Sequence, residues 1–457
     1  MLPSAFLSRM HTLLGPDFPA FLHAMTEEPP CRGCRVNPVK ADPDAFRSRP
    51  PFPVRPIPYT PDGFYHSVEK LGHHPFHHAG ILYSQDPGAM STLCALSLPR
   101  GIRALDLCAA PGGKTAQIAA AIGADGCLVS NDCLPPRARQ LVSNTERLGL
   151  ANTLVTCTEP AVLAGWFPAF FDFVLVDAPC SGEGMFRKNP EAIEDWSEEK
   201  VRRCAALQGE LLSYAADMLR PGGTLLYSTC TFSLEENEAQ IDAFLIAHPT
   251  FRLCRVSDAL AEATVPGIAF PGCKADLTRT RRFYPHIAPG EGQYIALLRR
   301  EEDGDPPGTV TYRDAFLSLK PTETAAVEAF LRENCLHGEE YAKRVRSWRG
   351  VPVLPPDGFP LPPHGVYAAG CTVGELRGKR LVPHHRFFTT YGSDFYRRLS
   401  LDREDVRLAA YLHGDTFPAP ELTDGYAAVL LEGAPLGGIR VVEGQAKNLY
   451  PKGLRRP

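Results

Sequence analysis

Two cysteines carry the most informative chemistry in this sequence. Cys180 closes the run Val174-Leu175-Val176-Asp177-Ala178-Pro179-Cys180-Ser181-Gly182, and Cys230 closes Leu225-Leu226-Tyr227-Ser228-Thr229-Cys230-Thr231. Each run has the apolar character of a strand, and the carboxyl ends of strands line the ligand crevice of an open α/β sheet. Asp177, Cys180 and Cys230 are therefore expected to converge. A lone cysteine is most simply a small buried apolar residue. Two of them just past adjacent strand ends, one behind Asp-Ala-Pro, are hard to assign to packing. Such a pair suits addition to an electron-poor ring. A thiolate that attacks C6 of a cytosine makes C5, otherwise a poor nucleophile, enamine-like and able to take a methyl group. An acid near N3, here Asp177, would stabilise the charge that develops. A second thiol could help to release the product, and the base would have to leave its stack to reach the thiolate.

A second constellation lies upstream, in Leu105-Asp106-Leu107-Cys108-Ala109-Ala110-Pro111-Gly112-Gly113-Lys114-Thr115. An apolar strand ends in a turn of small residues that opens a helix, where backbone N–H groups face a ligand at close range. The next strand ends at Asp132, 26 positions after Asp106, where a carboxylate can bind ribose hydroxyls. A tight turn explains a Gly-Gly pair alone, but strand, loop, helix, strand and acid in this order point to a nucleoside cofactor. The loop is neither GxGxxG nor GxxxxGK[ST], which argues against a standard dinucleotide fingerprint and against a P-loop.

The rest of the chain must position these groups. Short apolar runs at Ile102–Leu107, Leu128–Asp132, Leu154–Thr156, Phe171–Asp177 and Thr224–Thr229 alternate with helix-like stretches near Lys114–Ile122, Pro136–Leu148 and Glu198–Leu219. This alternation predicts a parallel sheet with helices on both faces, with Gln293–Leu298 as a late strand. Before it come an amphipathic start, MLPSAFLSRMHTLL, a Pro-rich stretch from Arg47 to Pro61 that fits connecting chain or an edge strand, and His73, His74, His77 and His78, a polar loop or RNA-facing surface. After it, Glu301–Thr309 has linker composition, and the last part has short apolar runs, glycine turns and a basic end. The expected units are residues 1–75, 76–300, 301–365 and 366–457.

Composition excludes several classes. The 457 residues suggest roughly three domains. Apolar residues make up 44% and charged ones 22%, as in an ordinary globular protein, and the net charge of -4 means that nucleic acid must be met by local basic patches. The 14 cysteines are scattered, as in a chain of reduced thiols in the cytoplasm rather than a secreted disulfide framework. Cys31 and Cys34 form a CxxC without the second half of a zinc site, so no metal is expected. No signal-peptide architecture and no apolar stretch of membrane-spanning length is present, so no membrane association is expected. No obligate protein partner is evident, and a monomer is plausible.

The segments LDLCAAPGGKT, VLVDAPCSGEGMFRKNP, LRPGGTLLYSTCTFSLEENE and GEGQYIALL resemble the Sun/Fmu family of RNA 5-methylcytosine methyltransferases. HPFHHAGILYSQDPGAM resembles the family's approach to the cofactor loop, and KNLYPKGLR the end of a PUA-like tail. The resemblance spans nearly the whole chain. It implies an α/β, Rossmann-like class I methyltransferase core with an N-terminal RNA-binding region and a C-terminal PUA-like module. It implies S-adenosylmethionine as cofactor, held by Cys108, Ala109, Ala110, Pro111, Gly112, Gly113 and Lys114, with Asp132 on the ribose, Arg137 nearby, Glu159 near the adenine, and Asp177 between cofactor and base. It makes Cys230 the nucleophile and Cys180 the helper in product release, and puts Lys114 near the methyl-transfer centre. Glu159 stands where the family more often has Asp, and Gly88 where Ser is common. The implied substrate is RNA, with 16S ribosomal RNA or the 30S subunit ahead of transfer RNA. Arg187 and Lys188 beside the Pro-Cys loop, and Lys447, Lys452, Arg455 and Arg456 at the end, are candidate phosphate contacts.

Three other readings compete. A DNA cytosine methyltransferase uses the Pro-Cys cysteine as nucleophile and has no need of Cys230. An amino-methyltransferase uses a loop of the Asn/Asp-Pro-Pro-Tyr kind, which Asp-Ala-Pro-Cys fits poorly. An inactive RNA-binding assembly factor would not need to keep every catalytic candidate.

Overall fold

The apolar runs meet in one twisted sheet. The computed structural model describes residues 1–302, 310 and 313–455. In it, β1 (Arg103–Asp106), β2 (Cys127–Asn131), β3 (Thr153–Thr156), β4 (Phe171–Asp177), β5 (Leu219–Thr229) and β6 (Gln293–Arg300) lie in the order β6-β5-β4-β1-β2-β3. β1 to β5 are parallel and β6 runs antiparallel to β5. The helices α1 (Gly113–Ile122), α2 (Pro135–Arg147), α3 (Pro160–Trp166), α4 (Glu198–Met218) and α5 (Glu238–Ala247) complete the core.

Strand alternation explains why the middle of each run is apolar on both faces. Phe171, Val174 and Val176 of β4 face one core, shared with Leu211, Leu212 and Ala215 of α4. Phe173 and Leu175 face the other, shared with Ile118, Ala119 and Ile122 of α1. Successive side chains point to opposite faces, so the stretch covered on both sides, Phe173–Val176, is apolar at every position. Each fully buried side chain of this kind contributes roughly 1.5–3 kcal/mol of transfer free energy. The strand order reverses between β1 and β4, which opens a crevice outside their carboxyl ends.

The flanking regions close around this core. Residues of the N-terminal part form an antiparallel sheet of Val54–Pro56, Gly63–His66, Gly33–Val36 and Leu82–Ser84, in that order. The Pro-rich stretch thus supplies its edge strand, where a missing N–H is tolerated. The first helix, Ser4–Leu14, buries Phe6 and Met10 against Phe186, Trp196 and Phe232 of the core. His74 Nδ1 accepts from Phe76 N at the start of the short helix Pro75–His78, and His78 Nδ1 meets the Tyr450 hydroxyl at 2.8 Å. The histidine cluster therefore helps to join the N-terminal region to the C-terminal sheet.

That last sheet orders Arg398–Leu401, Gly425–Leu431, Ala434–Val442, Gln445–Asn448 and Phe417–Pro418, and it shares an apolar core with Phe46, Phe64 and Phe76. Lys40 crosses the same seam and donates to the carbonyls of Thr389 and Pro435. β7 (Val366–Ala369) pairs antiparallel with β3 and extends the core sheet. The chain beyond residue 365 thus contributes first to the core and only later to the terminal sheet. From residue 303 onward the linker expected over Glu301–Thr309 lies outside the described residues, as does Arg456. Among the described residues, no helix is long and apolar enough to cross a membrane.

Candidate active site

At the switch between β1 and β4 the chain turns through Leu107–Gly112 and enters α1. Ala109 N donates to Asn131 O at 2.8 Å, which ties the loop to the end of β2. Gly112 takes φ +114°, a conformation that strains any other residue, and a Cβ there would also press on Leu141 at 3.0 Å. Beside the loop opens a cavity of about 390 Å³. Cys108, Ala110, Asp132, Arg137 and Glu159 line one part of it, and Asp177, Cys180 and Cys230 another. Ala109, Pro111, Gly112, Gly113 and Lys114 are not on its wall.

The acids of this cavity differ in how they are held. Asp132 is buried, accepts from Leu134 N at 3.1 Å and pairs with Arg137 Nε at 3.1 Å. Arg137, half-exposed, also donates to Ala110 O at 2.8 Å and so clasps the loop over the acid. Glu159 is exposed at the start of α3. Burial pushes the Cys108 thiol well up, leaving it a neutral wall group. Asp106, fully buried under the loop, accepts from Thr115 Oγ1 at 2.7 Å, and burial pushes its carboxyl up to about 7.

The thiols meet where β4 and β5 end. Cys180 Sγ and Cys230 Sγ lie 3.3 Å apart. The hydrogen bond to Cys230, followed by burial, pushes the Cys180 thiol well above its ordinary value, so Cys180 keeps its proton while facing the Cys230 sulfur. Asp177 ends β4, and its Oδ1 accepts from Ser228 Oγ at 2.6 Å while its Oδ2 pairs with Lys114 Nζ at 2.8 Å. Lys114 is itself buried, so it bridges the cofactor loop and the thiol site. Gly184 N donates to Cys230 O at 2.9 Å, and a Cβ at 184 would strike that oxygen at 2.7 Å. Close backbone approach below Cys230 thus requires glycine.

The basic candidates divide. Arg187 is a correction to the expectation of a phosphate contact beside the Pro-Cys loop. Its side chain is 4% exposed and its nitrogens bond Glu291 Oε1 and Oε2, Ala24 O and Gly290 O. A charge pair sealed this way packs the loop and has no surface to offer. Lys188 is partly exposed and pairs with Asp86 at 2.5 Å. Lys447 and Lys452 are exposed, and Arg455 is half-buried with Nε bonded to Tyr450 O at 3.2 Å.

Other residues of the site escape sequence reasoning. Asn131 lines the cavity, and its amide holds Leu107 O and Thr158 O. Leu134, Pro160 and Leu207 supply apolar wall. Adjacency to Asp132 is a signal that could have found Asn131. Leu207 comes from α4, far along the chain, and carries no such signal.

A parallel sheet that reverses at a nucleoside-sized crevice is the layout of Rossmann-like methyltransferases, and the core is of that class. Residues 93–299 match the family described as 16S rRNA methyltransferase RsmB/F, residues 2–87 the N-terminal domain of 16S rRNA methyltransferase RsmF, and residues 398–456 the methyltransferase RsmF PUA domain. The ribosomal RNA small subunit methyltransferase F of Cronobacter sakazakii is 31% identical over 100% of this chain and 96% of its own length. That of Klebsiella pneumoniae is 31% identical over 99% and 96%. Among solved structures, a methyltransferase homolog protein from Pyrococcus horikoshii is 28% identical, with a TM-score of 0.57 over 65% of this chain and 95% of its own. NSun6 from the same organism, solved with SFG, shares the fold at 22% identity and a TM-score of 0.56, over 66% of this chain and 99% of its own. The chain belongs to the RsmB/F family and is an RNA methyltransferase.

Proposed function

We propose that this chain transfers a methyl group from S-adenosylmethionine to C5 of a cytosine in 16S ribosomal RNA, through a covalent bond between Cys230 Sγ and base C6. The observation that carries this reading is the 3.3 Å approach of two thiols in a cavity whose wall includes Asp177, an acid paired with Lys114. The cavity's donor set fits the cofactor: a buried carboxylate at Asp132 for ribose hydroxyls, an apolar wall at Leu134 and Pro160 for a flat base, and Asp177 at its thiol end, paired with Lys114 behind the wall. When bound, the cofactor supplies an electrophilic methyl group.

The chain's residues do the rest. Cys230 Sγ adds to C6 of the unstacked base, and the electron pair moves toward C5 and N3. Asp177 lies at the base-facing end of the cavity, where a proton at N3 would neutralise the growing charge. Once C5 carries its methyl group, a base must take the C5 proton, the C–H electron pair becoming the C5–C6 double bond as the C6–sulfur bond breaks. In this reading Cys180, a protonated thiol 3.3 Å from Cys230, gives its proton to the departing Cys230 sulfur, and the thiolate it becomes takes the C5 proton. Lys188, Lys447, Lys452 and Arg455 are proposed contacts to RNA phosphates, with residues 1–75 and the PUA-like end flanking the catalytic core in the cytoplasmic enzyme. The test is labelled methyl transfer to naked 16S RNA, 30S particles and transfer RNA. Label in cytosine C5 of small-subunit RNA supports the reading, label in transfer RNA reassigns the substrate, and no transfer with no cofactor binding favours an inactive binding factor.

A further inference from the structure

The residues that follow the two thiols in sequence are tied to each other. Ser181 Oγ and Thr231 Oγ1 lie 2.8 Å apart, and both side chains are fully buried. Beneath them sits the Glu236 carboxyl, which is inaccessible to solvent. Its Oε2 accepts from Ser181 N at 2.9 Å and from Gln208 Nε2 at 3.0 Å, and its Oε1 contacts Ser181 Oγ at 2.5 Å. Gln208 Nε2 also donates to Pro179 O at 2.9 Å, so the same carboxyl is tied to both sides of Cys180. Thr231 Oγ1 continues to Glu183 Oε2 at 3.0 Å, and Glu183 accepts as well from Phe232 N and Trp196 Nε1. Tyr227 donates its hydroxyl proton to Glu236 O at 2.7 Å and fixes the residue to β5.

Burying two carboxyls this close together is costly, and each must be compensated by hydrogen bonds. For Glu236, the donors come from Ser181, next to Cys180, and from Gln208, a side chain that also grips Pro179 on its other side. We propose that Glu236, through Ser181 and Thr231, is a positioning residue that holds Cys180 and Cys230 in register for the reaction. It touches neither sulfur and acts on both loops at once. The proposal rests on the two-thiol mechanism above, but its physical content is the distance between the loops. The hydrogen bonds matter here more than the charge. An amide in place of the carboxyl can still accept from Ser181 N and Gln208 through its oxygen and donate to Ser181 Oγ through its nitrogen.

The experiment compares Glu236→Ala, Glu236→Gln and Thr231→Val in the full chain. The first readout is the rate at which diamide, a two-electron thiol oxidant that takes up both thiol hydrogens, closes a Cys180–Cys230 disulfide, followed by peptide mass mapping. The second is kcat and KM for methyl transfer. Glu236→Ala is expected to slow closure and lower kcat, each by about tenfold or more, the size expected from one lost buried hydrogen bond, with KM for the methyl donor and for RNA held within about twofold. Glu236→Gln is expected to restore both. Thr231→Val, which removes the link between loops while keeping the side chain's shape, is expected to change both in the same direction, and it serves if the alanine variant does not fold. Wild-type closure in Glu236→Ala or Thr231→Val, or a loss of kcat that glutamine does not restore, overturns the proposal. The disulfide rate does not depend on which cysteine is the nucleophile, so failure here is distinguishable from failure of the two-thiol mechanism.

Discussion

Lys114 Nζ stands 2.8 Å from Asp177 Oδ2, one residue opening α1 and the other ending β4. The pair joins the start of α1 to the thiol site and fixes the Asp177 carboxylate. Lys114→Met should lower kcat/KM by about 10²–10³, the range for removing one preorganised charged group from a reacting centre. Asp177→Asn should act similarly. The double variant should lose far less than the product of the two, because each single change already breaks the pair. Steady-state kinetics on the three variants decides this, and additive losses would mean that the two groups act separately.

Asp132 is the cavity's buried acid. Asp132→Ala should weaken S-adenosylmethionine binding by about ten- to hundredfold, as expected for lost hydrogen bonds to a charged acceptor. RNA binding should not change. Calorimetry with the cofactor, beside a filter-binding assay with RNA, separates the two effects.

The core was legible because its signals are local. Phe171–Asp177 appears in the sequence with the limits the structure gives it, since Phe173–Val176 is covered on both faces and is apolar at every position. The turn of small residues after β1 and the convergence of Cys180 with Cys230 were legible for the same reason. Glu236 was not. It stands in Leu234-Glu235-Glu236-Asn237-Glu238, where Glu235 is half-exposed and paired with Arg9, while Glu236 and Glu238 are buried on different partners. Nothing in a run of acids tells which ones turn inward. Arg187 misled for a related reason: its partner Glu291 lies 104 residues away. The antiparallel pairing of β7 with β3 is equally non-local and leaves no mark in the sequence.

Arg187 should accordingly behave as a structural residue. Arg187→Ala leaves Glu291 buried without its partner and should cost about 3–5 kcal/mol of stability. Lys452→Ala should leave stability unchanged and weaken RNA binding, with a shallower salt dependence. Urea unfolding and binding at two salt concentrations test the contrast. Unaltered stability in Arg187→Ala would contradict the buried pairing.

Asp106 provides a test by pH. Its folded carboxyl is raised by burial to about 7 from an ordinary value of 3.8. Between these values the folded state binds the proton that the unfolded state has released, so this group's contribution to stability falls as pH rises. Asp106→Asn removes that dependence. The stability difference between variant and wild type should therefore move in the variant's favour by roughly 2–4 kcal/mol from about pH 4 to about pH 8. Denaturant unfolding at both values is the check, and a pH-independent difference would contradict it.

The most direct test of the mechanism is covalent trapping. Wild type, Cys180→Ala and Cys230→Ala are incubated with S-adenosylmethionine and unmodified small-subunit RNA, then run on a denaturing gel. The thiol pair at 3.3 Å, with Cys180 holding its proton, predicts that Cys180→Ala accumulates a protein–RNA adduct while Cys230→Ala forms none and transfers no methyl group. An adduct in Cys230→Ala, with none in Cys180→Ala, would move the nucleophile to Cys180 and contradict the account.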